Sequence, residues 1–479
     1  MGEPRGPIGR DPVDDWLNAE VEPLTPRPGA FERISRRAHR RKVRRASMSA
    51  AGAVVVIAVA ASVPGIVSAL QPGGGRPAPP AAAGSPRPTA APATTGQGSG
   101  GVASQASSPV PTVAPPASLL NHGPLPGNFQ PTSITFIGPH TGAVIGQAGT
   151  QGHCASSFCT SLAGTDDYGR TWFGVSAPRT GPPDGPSGVG QLRFLDTDNG
   201  WAFGPQLWVT HDAGASWQQE QTGGLRVIDL ETAGNRAFAL FAKCTGSGAD
   251  FGTGCTSVSL YTSSVAGNQW QRLSGPAASL PPAAAGQPAS ASLVLAGGRG
   301  YALAPSGEVL TGPITGAAWS IADAQAPCSP GAPGAGGQPT GALMAAGSGE
   351  LILVCTSATS TAGDSQAKVV MRSSNGGTSW STAGSGPPAG IATSVAAAQG
   401  NVVVLATDAG LYLSGNGGVS WQLARPGPAQ AQAAERGFSY VGMTSATQGV
   451  ALPADPALHE VFITTDGGST WRPQAISSP

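Results

Sequence analysis

The string TTDGGSTW at residues 464–471 has four full relatives in the same chain: TDDYGRTW (165–172), THDAGASW (210–217), SSNGGTSW (373–380) and SGNGGVSW (414–421). Two worn copies, SSVAGNQW (263–270) and GPITGAAW (312–319), keep the glycine and the tryptophan. Aligned on the tryptophan, the positions are Trp172, Trp217, Trp270, Trp319, Trp380, Trp421 and Trp471, spaced by 45, 53, 49, 61, 41 and 50 residues. A motif repeated at that period constrains the fold more than any other property of the chain. Each repeat must be one supersecondary unit that buries its apolar faces against its neighbours.

Upstream of each box the same order of short runs recurs. In the second repeat QLRFLDTD (191–198), NGWAFG (199–204), QLWVT (206–210) and SWQQEQ (216–221) read as four strands. The last repeat has FSYVGMT (438–444), QGVALP (448–453), EVFITT (460–465) and TWRPQA (470–475). Period-two alternation bounded by Gly and Pro turns is a strand signal. Four antiparallel strands per fifty residues, seven times over, is the pattern of propeller blades. The expected fold is all-β, a seven-bladed β-propeller over residues 129–479. Its first and last repeats each supply four strands of their own, so the ring needs no strand exchange to close.

Each box falls at the hairpin between a third and a fourth strand. The Asp or Asn (Asp167, Asp212, Asn375, Asn416, Asp466) is placed to accept hydrogen bonds from backbone N–H groups just ahead of it. The glycine (Gly169, Gly214, Gly377, Gly418, Gly468) supplies positive φ without steric cost. The Ser or Thr before the tryptophan ties down the exit. The tryptophan (Trp172, Trp217, Trp380, Trp421, Trp471 in the full copies) begins the outer strand and buries its ring. Two boxes carry Asn, which has no carboxylate, and hairpins spread one per blade do not converge. The boxes are therefore structural and not catalytic.

The box resembles the Asp-box, or bacterial neuraminidase repeat, of sialidases and other propellers. The fuller unit LRFLDTDNGWAFGPQLWVTHDAGASW (192–217) is similar to the repeat of the photosystem II stability/assembly factor family. The resemblance spans residues 129–479 and implies a seven-bladed ring with a role in protein assembly. It does not extend to the N-terminal anchor and linker, which resemble those of exported actinobacterial proteins. A sialidase would carry an Arg-Ile-Pro on its first strand and a Tyr–Glu nucleophile. TSITFIG (132–138) has no arginine, and none of Tyr168, Tyr261, Tyr301, Tyr412 and Tyr440 has an evident Glu partner.

Ahead of the propeller the chain changes character twice. Residues 1–46 hold 11 Arg or Lys against 7 Asp or Glu, most of the excess in RISRRAHRRKVRR (33–45), and read as a largely disordered cytoplasmic tail. Residues 47–70, with MSAAGAVVVIAVAASVPGIVSAL, form an uncharged run long enough for one transmembrane helix. Basic residues on its N-terminal side only put that side in the cytoplasm and the propeller outside it. The preceding 46 residues exceed an ordinary signal n-region, so the segment is read as an uncleaved anchor in spite of the small residues at Val67–Ala69. Residues 71–120 are a disordered linker in which forty of fifty residues are Pro, Ala, Gly, Ser or Thr.

All six cysteines lie beyond the apolar run, which reads as disulfides on the exported side. Nearest-neighbour pairing joins Cys154 to Cys159, Cys244 to Cys255 and Cys328 to Cys355, one of fifteen connectivities. No CxxC spacing or histidine cluster points to a metal, and GGGR (73–76) lies in the linker rather than in a phosphate loop, so no cofactor is expected. Beyond residue 121 the 13 basic residues are outnumbered by 19 acidic ones, which argues against nucleic acid.

Carboxylates outside the boxes include Asp196, Asp198, Asp229, Glu231, Asp408 and Glu460, and the histidines 122, 140, 153, 211 and 459 are scattered. No catalytic set can be assembled from them. The reading is a membrane-anchored, extracytoplasmic binding or scaffold module for a cell-envelope protein or polysaccharide. A divergent glycoside hydrolase and an envelope sensor are the alternatives. Deleting Asp14–Glu22 tests the sensor: an unchanged phenotype counts against inward signalling.

Overall fold

Several segments in the propeller region are apolar without interruption, among them AFALFA (237–242), LILVC (351–355) and VVVLA (402–406). A strand of that kind needs apolar cover on both faces. The computed structural model describes residues 122–149, 158–181, 187–244, 255–265, 268–280, 291–316, 318–328, 341–347, 349–357, 366–428 and 436–477. It shows how that cover is provided.

The described residues form seven four-stranded antiparallel sheets, each built from four consecutive strands. The blades occupy residues 130–175, 189–219, 226–272, 292–325, 341–385, 392–426 and 438–475. No strand is exchanged between the first and last blades, as expected from the repeats. In blade 2 the strands are Val189–Phe194, Gly200–Pro205, Leu207–Thr210 and Gln218–Gln219; in blade 7 they are Phe438–Met443, Gly449–Pro453, Glu460–Thr464 and Arg472–Ala475. Every box tryptophan immediately precedes a fourth strand.

Strand pleating sends alternate residues to opposite faces, and here it sends them to different cores. In Arg236–Cys244, Phe238, Leu240 and Ala242 pack toward blade 4, while Ala237, Ala239 and Phe241 pack toward blade 2. Seven clusters of this kind fill the seven gaps between neighbouring blades. The gap that closes the ring joins Phe129, Ile134 and Trp172 of the N-terminal side to Val450, Val461 and Ile463 of blade 7. There Gln448 Nε2 donates to Pro139 O at 2.8 Å, and His459 Nδ1 lies 2.8 Å from Phe129 O.

Polar side chains stitch the gaps near the axis. Ser133 Oγ accepts from Leu192 N at 3.2 Å, Asp229 Oδ2 from Leu293 N at 2.8 Å, and Ser394 Oγ from Val441 N at 3.2 Å. Thr132 and Thr393 donate across the same gaps to Gly190 O (2.9 Å) and Phe438 O (2.7 Å). Cys328 and Cys355 form a disulfide with 5.7 Å between Cα atoms, and both belong to the core between blades 4 and 5. Cys159 and Cys244 are also in disulfides, and Cys244 stands opposite Cys255 in its ladder. Residues 1–121, with the tail, apolar segment and linker, lie outside the described residues, as do His153 and Cys154.

The Cys328–Cys355 bond closes a loop with a sequence separation of 27 residues. Replacing both cysteines by Ser is expected to lower stability by about 3–4 kcal/mol, read as a lowered denaturant midpoint.

Candidate functional site

The five full boxes share one hydrogen-bond lattice. In the last, Thr464 Oγ1 accepts from Gly468 N at 2.9 Å and donates to Asp466 Oδ1 at 2.8 Å. Asp466 Oδ1 then accepts from Thr470 N (2.9 Å), and Oδ2 accepts from the Thr470 hydroxyl (2.6 Å). The same bonds recur around Thr165 and Asp167 and around Thr210 and Asp212. Where the chain has Asn, the last link reverses: Asn375 Nδ2 donates to Ser379 Oγ and Asn416 Nδ2 to Ser420 Oγ, both at 2.9 Å. A hydroxyl can act in either sense, which is why Asp and Asn serve equally. Burial works to raise the Asp167, Asp212 and Asp466 carboxyls, but these donors outweigh it and hold all three below the ordinary range.

The first hydroxyl of the box, at Thr165, Thr210, Ser373, Ser414 and Thr464, is 0–2% exposed and sits at the centre of the lattice. Sequence reasoning credited the Asp, the Gly and the exit hydroxyl and passed over this one, although [ST] occupies that position in all five strings. The glycine has two duties. Its φ lies between 76° and 92° in the five boxes, and it abuts the preceding blade. A Cβ on Gly169 would come within 2.5 Å of Ile463, on Gly214 within 2.9 Å of Val175, on Gly418 within 2.5 Å of Val370 and on Gly468 within 3.1 Å of Val404. Trp172 and Trp471 are buried, while Trp217, Trp380 and Trp421 are half-buried. In the worn fourth box Trp319 is held instead by bare backbone, because it lies over Gly300 and Gly312.

The boxes thus bind blades together through their glycines and tryptophans. The inner strands of all seven blades line a central cavity of about 350 Å³. Its lining mixes backbone polar groups with apolar side chains such as Leu295, Val395 and Met443, and its charged residues are Arg193 and Glu231. Arg193 Nε and Nη2 both lie 3.1 Å from Glu231 Oε1, and Nη1 donates to Leu192 O at 2.9 Å. Burial opposes the Arg193 charge, yet Glu231, with Tyr440 and Asp229 nearby, holds the guanidinium above its ordinary value. Tyr440, from the last blade, also lines the cavity. Burial raises its phenol; Arg193 opposes that rise, and Glu231 and Asp229 add to it.

Asp229 stands two residues before Glu231 on the strand Arg226–Ala233. It accepts from Leu230 N at 2.9 Å as well as from Leu293 N, and so occupies the place that Ser133 and Ser394 hold in other gaps. Burial and the Glu231 charge push its pKa up to about 7, against Arg193 and the two amides.

Comparison with known proteins gives a likeness of fold. No protein-family model and no curated protein matches the chain. Among solved structures, it is similar to YCF48 bound to D1 peptide, at 16% identity over 75% of this chain and 96% of that one, with a TM-score of 0.43. YCF48 from Cyanidioschyzon merolae matches at 14% identity over 59% and 83%, with a TM-score of 0.39. U3-55K matches at 12% identity over 70% and 95%, with a TM-score of 0.41.

The remaining sequence candidates do not converge. Asp196 caps its own turn through Asp198 N and Asn199 N at 2.9 and 2.7 Å, and Asp198 is exposed on that turn. Asp408 accepts from Ile391 N at 2.6 Å, and Glu460 opens the third strand of blade 7. His122 stacks on Phe173, His140 meets Tyr168, and His211 bridges Asn199 and Asn268. Among the described residues no group of three or more His, Cys, Asp or Glu could hold a metal. Lys368, which sequence reasoning passed over, is 4% exposed, and its ammonium donates to the carbonyls of Gln366, Pro387, Ala389 and Gly390.

Two predictions separate these carboxyls. Thr464→Val strands Gly468 N–H and is expected to cost about 1–3 kcal/mol, whereas Asp466→Asn costs under about 1 kcal/mol; denaturant titration measures both. The depressed Asp466 carboxyl contributes stability above the ordinary carboxylate pKa and loses it as pH falls, so the Asp466→Asn deficit narrows below about pH 4. The sign reverses at Asp229. A raised pKa favours the folded state while the group is protonated and loses that benefit as pH rises through about 7. Because both Asp229 oxygens accept, Oδ1 from Leu230 N and Oδ2 from Leu293 N, Asp229→Asn turns an NH2 on one of those N–H groups. It is expected to melt below the parent at about pH 4, with the deficit narrowing toward about pH 8 as the parent's buried carboxyl ionises.

Proposed function

We propose that the chain is a membrane-tethered, extracytoplasmic binding module whose central cavity receives part of a cell-envelope protein or polysaccharide. The apolar run 47–70, the one-sided basic flank and the Pro/Ala-rich linker support the tethering. The observation that carries the binding role is the Arg193–Glu231 pair, the charged pair in a cavity lined by all seven blades. The two side chains are 15% and 27% exposed, so the pair can be reached from the cavity. A few fixed polar groups in an apolar recess are what small binding sites use for orientation.

Hydrolysis is less well supported. A glycosidase needs two carboxyl groups about 5–10 Å apart, one to give a proton and one to attack or to activate water. Asp229 and Glu231 are two residues apart, about 7 Å along a strand. Both are already committed, Asp229 to the amides of Leu230 and Leu293 and Glu231 to Arg193.

The test is crosslinking and pull-down from envelope fractions with the full-length chain. The double variant Arg193→Gln/Glu231→Gln keeps a neutral hydrogen-bonded pair and is expected to lose retention by about tenfold or more at unchanged melting temperature. Undiminished retention in that variant overturns the proposal. So does glycoside turnover by the parent that Asp229→Asn or Glu231→Gln abolishes.

A further inference from the structure

Arg193 in blade 2 and Glu231 in blade 3 hold the same register position of the inner strand. Each pairs with a second-strand residue, Trp201 or Phe238, that packs toward the following blade. By the same criterion the position is Ala345 in blade 5, Ala396 in blade 6 and Gly442 in blade 7. All three line the cavity. In a ring of seven sheets those blades stand across the axis from blades 2 and 3, so small residues leave the room that the charged pair faces. The Tyr440 phenol takes part of it: a Cβ on Gly442 would come within 2.5 Å of its oxygen.

The pair is not used up by its own contact. Glu231 Oε1 takes both Arg193 Nε and Nη2, and Leu192 O takes Nη1. A guanidinium has five N–H groups, which leaves one on each terminal nitrogen. Glu231 Oε2 and the Tyr440 hydroxyl have no hydrogen-bond partner among the described residues. Asp229 offers no further acceptor of this kind, since its two oxygens hold the amides of Leu230 and Leu293. The cavity therefore presents a charge-assisted donor beside a charge-assisted acceptor, with no net charge between the two.

A carboxylate would satisfy the donor and meet Glu231 Oε2 with like charge; an ammonium would do the reverse at Arg193. Like charges set against each other cost affinity. A primary carboxamide is uncharged and carries an acceptor oxygen and a donor nitrogen on one carbon. A secondary trans amide, whose C=O and N–H point opposite ways, cannot address both groups at once. We propose that the Arg193–Glu231 pair is a receptor for a primary carboxamide on a peptide, Arg193 donating to its oxygen and Glu231 Oε2 accepting from its NH2, with the rest of the ligand toward Ala345 and Ala396. This selectivity rests on the cavity being a binding site, as proposed for the envelope ligand.

The experiment is saturation-transfer NMR on the full-length chain with three probes of one shape: 3-methylbutanamide, 3-methylbutanoate and 3-methylbutylamine. The amide is expected to bind, and the acid and the amine to bind at least about tenfold more weakly. Glu231→Gln replaces the idle acceptor by an NH2 donor and leaves the guanidinium unbalanced, so it is expected to reverse the order, acid over amide. The ranking in the parent needs no variant and decides alone if Glu231→Gln does not fold. N-acetylglutamine N-methylamide stands for a side-chain amide and N-acetylleucinamide for an amidated chain end, and the tighter of the two identifies the source. N-acetylleucine N-methylamide, with secondary amides only, is expected not to bind. Preference of the parent for acid or amine, failure of every primary amide to bind it, or an amide preference retained by folded Glu231→Gln overturns the assignment. Envelope retention that still depends on the pair would then leave the binding role standing. Amide binding by the parent, with undiminished envelope retention in Arg193→Gln/Glu231→Gln, overturns the envelope role and leaves carboxamide selection intact.

Discussion

The structure depends on the pleat of its second strands. Because each of these strands is apolar on both faces, neighbouring residues serve different cores, Phe238 toward one blade and Phe241 toward the other. No blade has a core of its own. Each sheet is half of two cores, and the arrangement is satisfied only when the last sheet meets the first. The contact of Ile463 with the Gly169 box is thus the same kind of contact as every other blade junction, made between the ends of the propeller.

That uniformity explains how much of the architecture was legible. Tryptophan spacing marked seven units, and alternation within LRFLDTD or FSYVGMT marked individual strands. Even the absence of strand exchange followed from counting four runs in the first and last repeats. The boxes were legible in part. Asp, Gly and Trp stand out as residue types, whereas the buried first hydroxyl looks like any Ser or Thr at a strand end. The glycine's second duty was hidden as well, because it concerns Val175, Val370 or Val404 of another repeat. The worn copy at Trp319 survives through Gly300, which carries no motif in the sequence, and Gly312, which stands where the full boxes have their first hydroxyl.

The charged cavity cluster was legible only as separate letters. Asp229 and Glu231 attract notice as a close pair of acids, but Arg193 and Tyr440 come from blades 2 and 7, and only ring geometry sets them together. The structure also divides the two acids by role: one continues the row of polar stitches begun by Ser133 and Ser394, the other faces the cavity with an arginine. Lys368 is the opposite case, a buried cation with the Asp408 charge nearby, whose hydrogen bonds among the described residues go to backbone carbonyls and so leave no trace in side-chain identity.

Each blade is one unbroken stretch of chain. A propeller closed by a borrowed strand must rejoin two distant pieces whenever its number of blades changes. Here the duplication or deletion of one fifty-residue segment of coding sequence brings or removes a whole sheet, its box and one junction together, and leaves every other strand with its old partners. The uneven wear of the seven boxes fits a ring assembled by such copying and then left free to drift blade by blade.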